Sequence, residues 1–141
     1  MDTFDGKIVL VTGAGRGAGK AIAEAFAARG AKGVLNDISP VNVDEVVAQI
    51  TASGWQAKAY VDDVAKKVSV QAMVNNVTDD WERVDILINC ANVEPHTPLL
   101  ELDEWDWHRT LDVNLTGAFL LIQSVGRVMR EQGDGVIVNV I

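Results

Sequence analysis

A doubly wound α/β fold, a parallel sheet with helices on both faces, is the class this sequence predicts, and three observations predict it. Short runs of apolar, often β-branched residues alternate with stretches of helical period along the whole chain. The runs are apolar at successive positions, as strands covered on both faces must be. The first run, Ile8 to Val11, leads through Thr12 directly into a glycine-dense bend and a helix. Alternation of this kind implies parallel pairing through right-handed crossovers.

The elements follow in order. Gly13, Gly15, Gly17 and Gly19 alternate through the bend. From Ala18 the pattern turns helical, with Ala21, Ile22, Ala25 and Phe26 on one stripe and a stop near Gly30. Gly33 to Ile38 reads as a second strand. Ser39 as N-cap and Pro40 at the first helical position then open a helix whose buried side carries Val43, Val46, Val47 and Ile50. Ala57 to Val61 is a third strand. Lys66 to Trp81 is a third helix, with Val70, Met73, Val74, Val77 and Trp81 inward. Asp85 to Asn89 is a fourth strand, Glu104 to about Gln132 a long helix, and Gly135 to Ile141 a fifth strand, on which the chain stops.

Composition narrows the function classes. The 141 residues suit one domain, 1–141, and 48% hydrophobic residues argue against disorder. A net charge of −8 argues against nucleic-acid and anionic-membrane partners, which select a basic face. Cys90 is the single cysteine, so no internal disulfide forms. The N-terminal Met-Asp-Thr-Phe-Asp-Gly lacks the basic and apolar regions of a signal peptide, and no apolar run approaches membrane-spanning length. A cytoplasmic protein is expected. His96 and His108 lack metal-ligand spacing with Cys90 or with each other, so no metal site is expected. Cys90 reads as a small core residue rather than a nucleophile.

The glycine bend carries the chemistry. Strand, bend and helix make a phosphate cradle, because glycine lets a ligand approach the backbone and the helix start aims free N–H groups and a positive dipole at an anion. Gly13-x-Gly15-x-x-Ala18 fits the dinucleotide fingerprint, and Gly13-x-x-x-Gly17-x-Gly19 fits a second spacing better. A P-loop is excluded: Gly19-Lys20 precedes Ala21 rather than Ser or Thr. Asp37, at the end of the second strand, suits the two hydroxyls of a ribose and would repel a 2′-phosphate. Its alternative is a carboxylate serving the dipole of the next helix. Ile38 beside it favours NAD over NADP, whereas Arg16, in the glycine loop, is placed to meet a phosphate.

Thr12-Gly-Ala-Gly-Arg-Gly-Ala-Gly19, Asp63-Val64, Asn89-Cys-Ala-Asn92 and Asp112-Val-Asn-Leu-Thr-Gly117 lie in the order and spacing of the short-chain dehydrogenase/reductase family, which the whole chain resembles. The resemblance implies a Rossmann-type sheet, a nicotinamide cofactor, and hydride transfer to or from an alcohol or carbonyl carbon. By match to the family's motifs, Gly13, Gly17 and Gly19 hold the pyrophosphate and Asp37 the adenosine ribose. Asp63 and Val64 flank the adenine, Asn89 and Ala91 lie beside the cofactor and brace the central strand, and Asn114 is the catalytic asparagine that positions a water in a proton relay.

The chain also departs from that pattern. Cys90 stands for the second asparagine and Asn92 for the glycine of the usual Asn-Asn-Ala-Gly. Asparagine is the best non-glycine substitute in a left-handed turn, and its side chain would narrow the space near the nicotinamide ribose. The family's serine and Tyr-x-x-x-Lys normally follow the fifth strand. The only tyrosine here, Tyr60, has Val64 four residues later. The chain by itself is therefore expected to bind NAD without turnover, as the cofactor-binding part of such an enzyme. A non-catalytic NAD module and a structural subunit are the alternatives. Glu94, Pro95, His96 and Thr97 either line the site's mouth or form a tether. The fifth strand is expected to be an open apolar edge. The long helix, apolar nearly all round, carries Leu111, Leu115, Phe119, Ile122 and Met129 on one side and Val113, Leu120, Leu121 and Val128 toward another. It needs more than one partner, so a homo-oligomer through 104–132 is expected.

Overall fold

The computed structural model describes residues 3–141. Five parallel strands, β1 (Ile8–Val11), β2 (Lys32–Asp37), β3 (Ala57–Val61), β4 (Ile86–Asn89) and β5 (Val136–Asn139), form one sheet in the order β3-β2-β1-β4-β5. The helices are α1 (Gly17–Ala27), α2 (Pro40–Ala52), α3 (Lys67–Trp81), α4 (Glu104–Leu111) and α5 (Gly117–Gln132). This is the Rossmann-type architecture expected from the alternation of elements.

Strand alternation divides the apolar residues into two cores. Val9, Val11 and Leu35 pack with Ala23 and Ala27 of α1 and with Val43, Val46 and Ile50 of α2. Ile8, Leu10, Val34 and Leu87 pack with Met73 and Val77 of α3 and with Leu121 and Val125 of α5. β1 is buried along its whole length, because it has a strand on each side and helices on both faces. The order reverses between β1 and β4, so a crevice opens at their carboxyl ends, where such sheets bind ligands.

The structure corrects two expectations of burial. In α1 the buried stripe is Gly19, Ala23 and Ala27. Ile22 and Phe26 are half-buried, and Ala21 and Ala25 face solvent. Small residues win this face because α1 lies close over β1, and Phe26 instead meets Phe4 edge-on with ring centres 4.9 Å apart. The long helix runs from Glu104 to Gln132 as expected, with a π-turn, Asp112–Thr116, inserted between α4 and α5. It carries apolar residues on two sides, as expected. Val113, Leu120, Leu121, Val125 and Met129 are buried, while Leu111, Leu115, Phe119 and Ile122 are exposed. Met129 thus sits on the inner side rather than with Leu115. β5 is largely exposed, as expected of an open apolar edge, since nothing among the described residues lies beyond it.

Candidate functional site

The carboxyl ends of the strands are stitched together by side chains at or just beyond the ends of β1 and β2. Thr12, buried after β1, accepts hydrogen bonds through Oγ1 from the Cys90 and Ala91 N–H groups, both at 3.1 Å. Asn36, buried in β2, donates from Nδ2 to the Tyr60 and Asp62 carbonyls at 3.0 and 3.2 Å. The Ala14 N–H donates to the Asn36 carbonyl at 2.8 Å, which folds the glycine bend back over β2. These ties fix the floor of the crevice before any ligand is considered.

The bend itself is built on close approach. A Cβ at Gly13 would lie 2.8 Å from the Ala91 Cα, and one at Gly19 would overlap the Gly13 carbonyl. Gly17, at φ +56°, is the opposite case: nothing lies within 4 Å of where its Cβ would stand. That open space is the mouth of a cavity of about 350 Å3. The start of α1 faces it with no side-chain cap and no acidic residue in the first turn. Its first N–H groups are left for an anion.

Asp37 closes the far end of the glycine loop. Its Oδ2 accepts from the Gly15 N–H at 2.8 Å and its Oδ1 from the Ser39 N–H at 3.0 Å. No cation pairs with it among the described residues. Asp37 thus braces the turn into α2 and also lines the cavity. Gly13, Arg16, Gly17, Ala18, Gly19, Asp37, Asp63, Val64 and Ala91 all line this one cavity. Asp62 lines it too, with its carboxyl raised above the usual range by burial and pulled back by the Ser69 hydroxyl. Cys90, half-buried, has its thiol pushed up by burial, which suits an inert packing residue.

Asn89 and Asn114 lie elsewhere. They line a second, adjoining cavity of about 390 Å3, which shares Val64, Ala91 and Val113 with the first. Asn89 donates from Nδ2 to the Asn139 Oδ1 at 2.9 Å, joining β4 to β5. Asn114 sits in the π-turn and clamps Val93 by both main-chain groups. Its Oδ1 accepts from the Val93 N–H at 2.8 Å, and its Nδ2 donates to the Val93 carbonyl at 2.9 Å. The loop after β4 is thus held by the helix that follows it. Asn92 needs no left-handed turn: among the described residues Glu82 is the only non-glycine residue with positive φ. The expectation that asparagine stands here for its backbone freedom is corrected; it lines the first cavity in ordinary backbone. Of the 94–97 loop, Glu94 and His96 line that cavity.

Sequence reasoning missed Arg109, which also lines the first cavity and pairs with Asp63 at 3.2 Å. Nothing in its helical neighbourhood signals that contact. Thr12 was legible only as a strand end, although a buried hydroxyl before a glycine bend is a candidate for capping neighbouring N–H groups.

A nicotinamide dinucleotide fits these residues: the Gly17 opening, the uncapped helix start and the Asp37 carboxylate stand in one cavity, continuous by shared walls with a second. Comparison with known proteins agrees with this fit. The chain belongs to the short-chain dehydrogenase/reductase family, matching its family model (short chain dehydrogenase) over residues 7–141. It is 42% identical over 136 residues to D-threitol dehydrogenase of Mycolicibacterium smegmatis, covering 96% of this chain and 52% of that protein. It is 40% identical over 133 residues to NAD-dependent glycerol dehydrogenase of Listeria innocua, covering 94% of this chain and 51% of that protein. A solved metagenomic short-chain oxidoreductase in complex with NADP superimposes with a TM-score of 0.91 at 30% identity, over 96% of this chain and 62% of that one. The chain spans about half the length of the curated relatives it matches. No helix among the described residues is long and apolar enough to cross a membrane.

Proposed function

We propose that the chain binds NAD(H) in preference to NADP(H) and serves hydride transfer between the nicotinamide and an alcohol or carbonyl substrate as the cofactor-binding part of a dehydrogenase. The observation that carries the reading is Asp37: a carboxylate with no cation beside it, at the end of the glycine loop, favours a ribose diol and disfavours a phosphate. Arg16 lines the same cavity and is the counterweight. Among relatives, the glycerol dehydrogenase is named NAD-dependent and the metagenomic oxidoreductase was solved with NADP, so the choice rests on this chain's own residues.

Bound there, the dinucleotide supplies the hydride chemistry. Gly13, Gly17 and Gly19, with the α1 N–H groups, hold its pyrophosphate. Asp37 takes the adenosine ribose, and Asp63 and Val64 the adenine. Ala91 and Asn89 border the nicotinamide end. Asn114 has both side-chain groups engaged on Val93, so the water-positioning role the family resemblance gives it falls to the main chain of its π-turn. Titration of NADH fluorescence tests the reading. NADH is expected to bind at least about tenfold more tightly than NADPH, and Asp37→Ala to narrow the gap. No binding of either, or tighter NADPH binding, sinks it.

A second reading, binding without turnover, is favoured by Tyr60. The single tyrosine lies on β3 with its hydroxyl on Asp80 and Trp81, outside both cavities. No proton-transferring tyrosine is then available within this chain, and a hydride-transfer assay on it is expected to show no reaction. We further propose self-association through α4 and α5. Trp105, Leu115 and Phe119 are 67%, 66% and 55% exposed, and such an apolar face is unusual on a monomer. Sedimentation at micromolar concentration is expected to show a dimer or larger, reduced to monomer by Leu115→Glu with Phe119→Glu.

A further inference from the structure

The rim of the glycine-loop cavity is closed by a pair whose members are 46 residues apart in the chain. Arg109 Nη1 donates to Asp63 Oδ2 at 3.2 Å and to Oδ1 at 3.5 Å. Oδ1 also accepts from the Ala65 N–H at 3.0 Å, so the carboxylate is held from two sides. Oδ2 takes one bond and keeps acceptor capacity. Both side chains line the cavity and are mostly shielded, 26% exposed for Arg109 and 17% for Asp63.

The pair also anchors a helix. α4 has no buried residue. Its other side-chain hydrogen bonds stay within the helix or its cap, so among the described residues the Arg109–Asp63 pair alone ties it by side-chain hydrogen bonds to another part of the chain. A guanidinium placed here therefore links the position of α4 to the orientation of one acceptor in the cavity.

We propose that Arg109 is a positioning residue for base recognition: by pinning the Asp63 carboxylate, it makes that end of the cavity select a 6-aminopurine over a 6-oxopurine. The inference rests on the dinucleotide reading above. An ionised carboxylate only accepts hydrogen bonds, so an exocyclic amino group satisfies it, whereas an exocyclic oxygen in that place sets acceptor against acceptor. A carboxylate free to rotate adjusts to either base and discriminates less.

The test titrates NADH and its hypoxanthine analogue, reduced deamino-NAD, by their fluorescence. The wild type is expected to prefer NADH by about tenfold, the effect of one hydrogen bond to a charged group. In Arg109→Met the ratio falls below about threefold, chiefly through weaker NADH binding, and Arg109→Lys restores part of it. A purely structural role for the ion pair lowers both affinities together and leaves the ratio unchanged, which overturns the proposal. Should Arg109→Met not fold, Arg109→Gln carries the same ratio measurement. Equal binding of the two nucleotides by the wild type overturns this inference alone; binding of neither overturns the cofactor reading and this one with it.

Discussion

The sheet has two edge strands, and they are finished in opposite ways. On the β3 rim, Lys58 and Tyr60 both donate to Asp80 Oδ2 at 2.6 Å, and Trp81 Nε1 donates to the Tyr60 hydroxyl at 2.9 Å. The two donors hold the Asp80 carboxyl below its usual range. Burial first, and then Asp80, push the Tyr60 hydroxyl well above its ordinary value. On the β5 rim, Val136 and Val138 are 53% and 42% exposed, and the one side-chain hydrogen bond on β5 among the described residues is accepted by Asn139 Oδ1 from the inward-lying Asn89 Nδ2. A charged, networked rim resists pairing with another chain, and an apolar one does not. The lesson is that two strands of similar local propensity differ in what their edges are built to meet.

Perturbing the sheet from its centre outward sharpens that contrast. The largest effect is expected at the shared centre. Leu10 is fully buried in β1, and Leu10→Ala should cost about 3 kcal/mol in urea unfolding, setting the scale for both rims. Next comes the glycine loop at the end of the same strand. Gly19→Ala drives a Cβ into the Gly13 carbonyl and should cost about 2 kcal/mol and abolish NADH binding. Gly17→Ala meets open space, so it should cost only about 1 kcal/mol of backbone strain yet still impair binding, because its Cβ enters the cavity.

At the β3 rim, Tyr60→Phe removes the bond to Asp80 and leaves Trp81 Nε1 without its partner, an expected loss of about 1 kcal/mol. The sign of the pH effect follows from the raised Tyr60 value. Its contribution is complete below the unfolded tyrosine value, about pH 10, and is lost as pH rises beyond it. Since Tyr60 is the only tyrosine, phenolate absorbance should appear together with unfolding and not before it. The smallest effect on stability is expected at the β5 rim. Val138→Lys should stay within about 0.5 kcal/mol of the wild type while reducing association in light scattering at high concentration. If Val138→Lys instead costs as much as Leu10→Ala, the two rims are not different in the way described.

Much of this was legible residue by residue. The Ser39 cap accepts from the Asn42 N–H at 3.3 Å with Pro40 at the helix start, as the local chemistry predicts. The bounds Ala57–Val61 for β3 agree with its apolar run. Asp37 was found by its spacing from the glycines, and it does line their cavity. The α1 stripe was misread because larger residues outweigh alanines in a hydrophobic pattern, whereas close helix–strand packing selects the small ones. The π-turn between α4 and α5 left no signal, since it adds a residue without any special composition. Arg109 was invisible for a related reason: a cation on an exposed helix looks the same whether it meets water or a carboxylate brought there by the fold.

By itself, the sequence determined the alternation of strands and helices, the glycine bend after β1, and the acid at the end of β2. Those features depend on side-chain period and allowed φ values within a few neighbouring residues, which the chain carries locally. Only the tertiary structure decided that β1 lies at the centre and β3 and β5 at the rims, which face of α5 is buried, and that Asp63 meets Arg109. Burial and long-range pairing are properties of what else arrives at the same place, and no stretch of chain specifies that alone.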